Sequence, residues 1–293
     1  MTKMLSNKLI ITLFIMPGLL FFACFILIPL IYSAFYSFTN YDLLQPYTFI
    51  GLDNYKELIR DGDFYHSLWN ALLMMLALIF IQHPIAIAAG MFAQYLGRGE
   101  KAIRAVYFLP TIIGVVVGSM VWSSIFSTQF GLLNHLLDIV GLESWQHDWL
   151  GDPKTAIWCI ILVSMWCGFG YAFLLYYTGL KGIPADLHEA AKLDGASNFQ
   201  IHTLIDLPML KPIIKVNVIL AVIASLKMFD ITKLMTNGGP FKSTHMPLTY
   251  MYEEAFSLNR YGYGNAVSIT FVVICLLVTF AMNKMMKSEE GEA

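Results

Sequence analysis

The sequence predicts an all-α integral membrane protein with six transmembrane helices. Three observations carry this expectation. The 293 residues are 57% hydrophobic and only 13% charged, whereas a soluble chain carries about a quarter charged residues. Mean hydropathy is +0.63. Six apolar runs approach or exceed the roughly 20 residues that cross a bilayer, and charges gather at their ends.

Taken in order, span one covers residues 9–38, with no charge from Leu9 to Tyr41. It follows Lys3 and Lys8 as a signal peptide would, but such an apolar region is only about 7–15 residues long, so a retained helix is expected. Pro17 and Pro29 should kink it or mark its ends. A polar segment from Thr39 to Asp63 leads to span two, 67–95, which contains His83-Pro84, where a neutral histidine packed in the bundle is expected. Arg98, Lys101 and Arg104 form a basic turn before span three, 105–126. Within it, Gly114 and Gly118 are spaced to let another helix approach closely. A second polar segment, Phe130 to Lys154, carries Trp145 and Trp149, residues typical of a membrane boundary. Span four is 155–180, a polar loop fills 181–211, and span five is 212–235. A third polar segment, Thr236 to Gly264, contains the turn signal Asn237-Gly238-Gly239-Pro240. Span six is 265–282, and the acidic tail Ser288 to Ala293 is expected to be disordered. A single membrane domain over residues 1–293 accounts for the chain.

Lys and Arg set the orientation. With a cytoplasmic N-terminus, the inner segments hold ten basic residues and the outer segments five. That excess places both termini and the 181–211 loop inside. A net charge of −2 offers no basic field for nucleic acid. The four cysteines lie in apolar runs without a Cys-x-x-Cys pair, so neither disulfides nor metal ligation is expected. No phosphate-binding Gly-x-x-x-x-Gly-Lys-Ser/Thr, metalloprotease His-Glu-x-x-His or hydrolase Gly-x-Ser-x-Gly is present. The sequence therefore predicts no enzyme and no cofactor on this chain.

The 181–211 loop is the most polar internal stretch. Pro184 suits a first helical position. Asp186 and Glu189 favour the positive end of a helix. Ala190, Ala191, Lys192 and Leu193 are good helix formers. Gly195 is placed to end the helix in the left-handed conformation. A second polar run, Ser197 to Asp206, should stop at Pro208.

The pattern Glu189-Ala190-Ala191, Gly195, Ile205, Leu207-Pro208 resembles the signature loop of permease subunits of binding-protein-dependent ABC importers. All seven fixed positions are filled. The resemblance implies a type I ABC importer permease fold, with the loop as a cytoplasmic coupling helix docked on a separate ATPase. Glu189, Ala190, Ala191, Asp194, Gly195, Ile205, Leu207 and Pro208 would form that contact. ATP and Mg would then be bound by the partner ATPase. The implied partners are a second permease subunit, two ATPase copies and an extracytoplasmic solute-binding protein, in a bacterial or archaeal cytoplasmic membrane.

Other stretches resemble the carbohydrate-type, first-type subunits of this family: Trp166-Cys167-Gly168-Phe169-Gly170-Tyr171, Phe229-Asp230, and Gly262-Tyr263-Gly264-Asn265-Ala266. The resemblance to maltose-type permeases implies sugar contacts at Gly168, Tyr171, Ser225 and Met228. Each pair is three apart and shares a helix face. Where those relatives can place amides, this chain has Ser225 and Met228. Lys227, Asp230 and Lys233, with Phe229 among them, are ionisable groups in an apolar run. They fit a substrate pathway, a structural salt bridge, or lysines reaching outward to water. In a continuous helix Asp230 would lie about 27 Å from Pro212, towards the outer side. The readings left open are an importer of another solute, and a gradient-driven permease relaying protons through Lys227 and Asp230.

Overall fold

The computed structural model describes residues 8–44, 46–96 and 99–290. Lys3, Arg98 and the last residues of the acidic tail lie outside them. Among the described residues, the only extended pairing is one bridge between Thr39 and Phe49. Five helices are long and apolar enough to cross a membrane, and a bent pair supplies a sixth crossing if counted as one. The chain divides into one unit of residues 1–62 with 251–280 and a second of 63–250 with 281–293.

Three prolines shape the long helices in the same way. Pro29, Pro84 and Pro208 each follow a π-turn, at Ala23–Leu27, Leu78–Gln82 and His202–Asp206. A proline has no N–H and its ring collides with the carbonyl four residues back. In each case the residue before the proline bonds five back instead: Ile28 to Ala23, His83 to Leu78, and Leu207 to His202. The wider turn relieves the collision and keeps the helix continuous. The helix expected to stop at Pro208 therefore runs on to Met209.

In the first unit, α1 (Ile11–Tyr36) is apolar all round and its spanning window buries nothing within the chain. Beyond it, Asn54 on α2 (Asp53–Ile59) donates to Ser37 O at 2.8 Å and Thr39 O at 2.9 Å. Arg260 donates to Glu254 Oε2 at 2.8 Å and to Glu57, and its guanidinium lies 4.3 Å from the Tyr263 ring centre. Gly262 N–H donates to Tyr41 O, and a Cβ on Gly262 would sit 2.0 Å from Thr39 O. The Gly262-Tyr263-Gly264 sequence is thus a close-approach site. The last helix runs Tyr261–Glu290, so Ser288 to Glu290 continue it rather than forming a tail.

The second unit is built around α7 (Ala156–Lys181), the most enclosed of its apolar helices. Preceding it are α3 (Gly62–Gln94), α4 (Glu100–Ile113), α5 (Val115–Ile125) and α6 (Leu132–Ile139). Small residues let the neighbours close on α7. Ala86, Ala89 and Ala93 of α3 pack against Phe173, Tyr176 and Tyr177. Gly170 meets the backbone of α4, where an added Cβ would lie 2.7 Å from Tyr107 O.

The stretch expected as one span over 105–126 is two helices bent by 96° at Gly114. Gly114 has φ 80° and ψ 160°, a region essentially restricted to glycine. Of the expected contact pair, only Gly118 packs, with an added Cβ 3.0 Å from Cys167 Sγ. Trp149 is more than a boundary residue. Its indole donates to Asn134 Oδ1 at 2.7 Å, and its ring packs on the core of the unit.

Candidate functional site

Two features of the second unit bring predicted site residues together: the polar loop after α7 and a cavity beside the middle of α7.

The loop folds as α8 (Ala185–Leu193) and α9 (residues 198–209). Pro184 is not the first helical residue. Its ψ of 131° is extended, which makes it the N-cap. At the other end Gly195 has φ +80°. Gly195 N–H donates to Lys192 O at 3.1 Å and Ala196 N–H to Ala191 O at 2.9 Å. These two bonds close the left-handed helix ending that a glycine permits. Ser197 then starts α9 with a reciprocal cap, Ser197 N–H to Gln200 Oε1 and Gln200 N–H to Ser197 Oγ.

Asp206 joins the two helices. It is fully buried, and its carboxylate lies 2.7 Å from His188 Nε2 and 2.6 Å from His202 Nδ1. An ionised carboxylate only accepts, so both rings must donate. Neither histidine was singled out from the sequence. The one legible signal was the four-residue spacing of His202 and Asp206.

Below this pair the loop is seated on apolar groups. Ile183 and Leu210 are buried with Leu180, and Ile205 packs against them. Leu207 and Ala191 are half-buried. Glu189, Ala190, Asp194, Gly195 and Pro208 are exposed, and Leu193 is 89% exposed. The loop therefore presents a carboxylate, small residues and an unpartnered leucine on one stiff hairpin.

The cavity has a volume of about 360 Å³, within the roughly 300–1,000 Å³ usual for small-molecule sites. Gly168 and Tyr171 line it, as the sequence predicts, and Tyr171 is half exposed. Ser225, Lys227, Met228, Phe229 and Asp230 do not line it. Span five breaks after α10 (Lys211–Leu226) and resumes as α11 (Asp230–Met235). Asp230 therefore opens a new helical segment within the span Lys211–Met235. Lys227 and Asp230 are exposed and form no ion pair with each other, while Met228 joins the apolar core. Ser225 is fully buried and donates to Val222 O at 2.8 Å.

The α10 face on the cavity is Asn217, Leu220, Ala221 and Ala224. Ser225 falls about 80° round the helix from Asn217, at the edge of that face. Opposite lie Gln82 and His83 of α3, at the end of a π-turn. Both are buried. Among the described residues, Gln82 Oε1 and both ring nitrogens of His83 have no hydrogen-bond partner. These residues were not read as site residues from the sequence, where His83 looked like ordinary packing.

A family model described as the binding-protein-dependent transport system inner membrane component matches residues 83–287. A probable ABC transporter permease protein of Pyrococcus horikoshii is 35% identical, covering 92% of this chain and 92% of its own. The multiple sugar-binding transport system permease protein of Streptococcus mutans is 33% identical, covering 94% and 95%. A solved bacterial ABC transporter involved in import of the acidic polysaccharide alginate has a chain with a similar fold. Its TM-score is 0.84 at 23% identity, over 98% of each chain.

Proposed function

The chain belongs to the family of binding-protein-dependent transport system inner membrane components, and from that premise we propose that it is one of two permease subunits of an ATP-driven importer for a sugar or oligosaccharide. It is a multi-pass membrane protein and a transport subunit rather than an enzyme. The sugar-transport name of the Streptococcus mutans relative supports the substrate class. The observation that carries the reading is the loop: all seven signature positions fall on one capped helical hairpin whose Glu189 edge is exposed.

In this reading the loop is cytoplasmic and both termini lie on the same side. An ATPase subunit, holding ATP and Mg, grips α8 and α9. Closure of the two ATPases moves the hairpin, and Asp206 passes the motion from α8 to α9. Leu210 and Ile183 pass it on to α10 and α7, tilting the walls of the cavity. The nucleotide can move the equilibrium only by favouring one of the two global states. A second permease supplies the other half of the pathway, and an extracytoplasmic binding protein delivers the sugar.

The test is reconstitution. Uptake into proteoliposomes should require this chain, its partner permease, the ATPases, the binding protein and ATP. Uptake by this chain alone without nucleotide would overturn the reading and favour a gradient-driven permease.

A further inference from the structure

We propose that Gln82, with His83 beside it, is a substrate-contact residue that selects an uncharged, hydroxyl-bearing solute. The inference rests on the saccharide-importer reading above and names the chemistry of the site.

Gln82 is 4% exposed and His83 7%. A buried polar atom without a partner is destabilising, so two such side chains in sequence need a compensating role. Packing does not demand them, since an apolar residue would fill the same space at no such cost. The π-turn at Leu78–Gln82 ends at this pair, and such turns recur at functional sites. Gly168 leaves room for the Gln82 amide: a Cβ there would lie 3.3 Å from Gln82 Nε2. Gln82 also lines a second cavity of about 350 Å³, and is the only residue common to the two linings. Its amide therefore has space on both sides.

The orphan atoms define the ligand. Gln82 Oε1 can only accept, so it needs a donor. Carboxylates and phosphates are acceptors at neutral pH and cannot serve. A cationic donor would need a counter-charge, and among the described residues the cavity lining contains no Asp or Glu. It contains no Lys or Arg to hold an anion either. A hydroxyl donates and accepts, which suits both Gln82 Oε1 and an imidazole that offers one N–H and one lone pair. The half-exposed Tyr171 ring adds a surface on which a sugar ring can lie. An uncharged saccharide satisfies all of these, and a uronic acid oligomer does not.

The experiment uses the complete complex in inside-out vesicles, with the four native cysteines of this chain replaced. Gln82→Cys and, separately, Tyr171→Cys are labelled with a cationic methanethiosulfonate. The probes are maltotriose, cellobiose, raffinose and lactose, against digalacturonic acid as the anionic probe. We expect at least one neutral probe to slow labelling at both positions, and digalacturonic acid to slow neither. In uptake assays Gln82→Leu should lower transport of the protecting sugar about tenfold, the loss of one hydrogen bond, and Gln82→Asn should restore part of it. Protection at Tyr171→Cys without protection at Gln82→Cys overturns this inference and leaves the importer reading standing. Equal protection by digalacturonic acid overturns the selection for uncharged solutes. Protection at neither position by any probe overturns the saccharide reading itself.

Discussion

His188 Nε2 lies 2.7 Å from Asp206 Oδ1, and this contact fastens α8 to α9 across the loop that carries the seven signature positions. The second oxygen of Asp206 is held by His202 at 2.6 Å. Hydrogen bonds to a charged group contribute about 1.5–3 kcal/mol each. Asp206→Ala should therefore loosen the hairpin by about 3–6 kcal/mol. Hydrogen exchange over residues 185–209 should accelerate while the membrane helices stay protected. Asp206→Asn should be intermediate, since an amide can still accept one N–H. Unchanged exchange in Asp206→Ala would show that the contact does not hold the loop.

Gly195 should be intolerant for a different reason. Nothing lies within 4 Å of a Cβ added there, but φ is +80°. A residue with a side chain pays about 1–2 kcal/mol in that conformation. Gly195→Val should weaken recovery of the ATPase with the permease on purification. An equal yield of complex would contradict the role given to this helix ending.

Three further glycines separate close packing from backbone conformation. Gly170→Ala would place a Cβ 2.7 Å from Tyr107 O and 2.8 Å from Phe108 Cα, so α4 must move. Gly114→Ala meets nothing within 4 Å but forces an unfavourable φ at the 96° bend. Gly18→Ala meets nothing and has no strained angle. The melting temperature in detergent should fall for the first two, the cost at Gly114 being about 1–3 kcal/mol. It should hold or rise for Gly18→Ala, because alanine favours helix. A fall at Gly18 matching that at Gly170 would refute the packing explanation.

Arg260 pairs with Glu57 and with Glu254, whose side chain is 3% exposed. Arg260→Ala takes the guanidinium partner from the buried Glu254 carboxylate, a loss of about 3–5 kcal/mol. Expression and thermal stability should drop sharply. Arg260→Ala with Glu254→Gln should recover most of the loss, because the buried charge that Arg260 balances is gone. No recovery in the double variant would show that the pairing is not what Glu254 requires.

Much of the fold was legible because lipid demands it. Long uncharged runs mark crossings, and the signature spacing marks the loop. What stayed hidden depends on backbone angles and helix rotation. Gly114 and Gly118 look alike in sequence, yet one bends the chain and the other packs on Cys167. Nothing in the residues Lys227-Met228-Phe229 announces the local break between Leu226 and Asp230 within span five, across which Ser225 and Met228 do not share one helix face. The prolines were visible, but their π-turns were not. Without the turn at Leu78–Gln82, His83 reads as packing and Gln82 is passed over. The Asp206 clamp was hidden because His188 lies eighteen residues away in the chain.

The central claim is that the exposed edge of α8 is where a motor subunit takes hold. The direct test is Glu189→Lys in the full complex in proteoliposomes, with insertion and subunit stoichiometry verified. Uptake should be lost while ATP hydrolysis persists, uncoupled from transport. Normal sugar uptake per ATP hydrolysed in that variant would contradict the account.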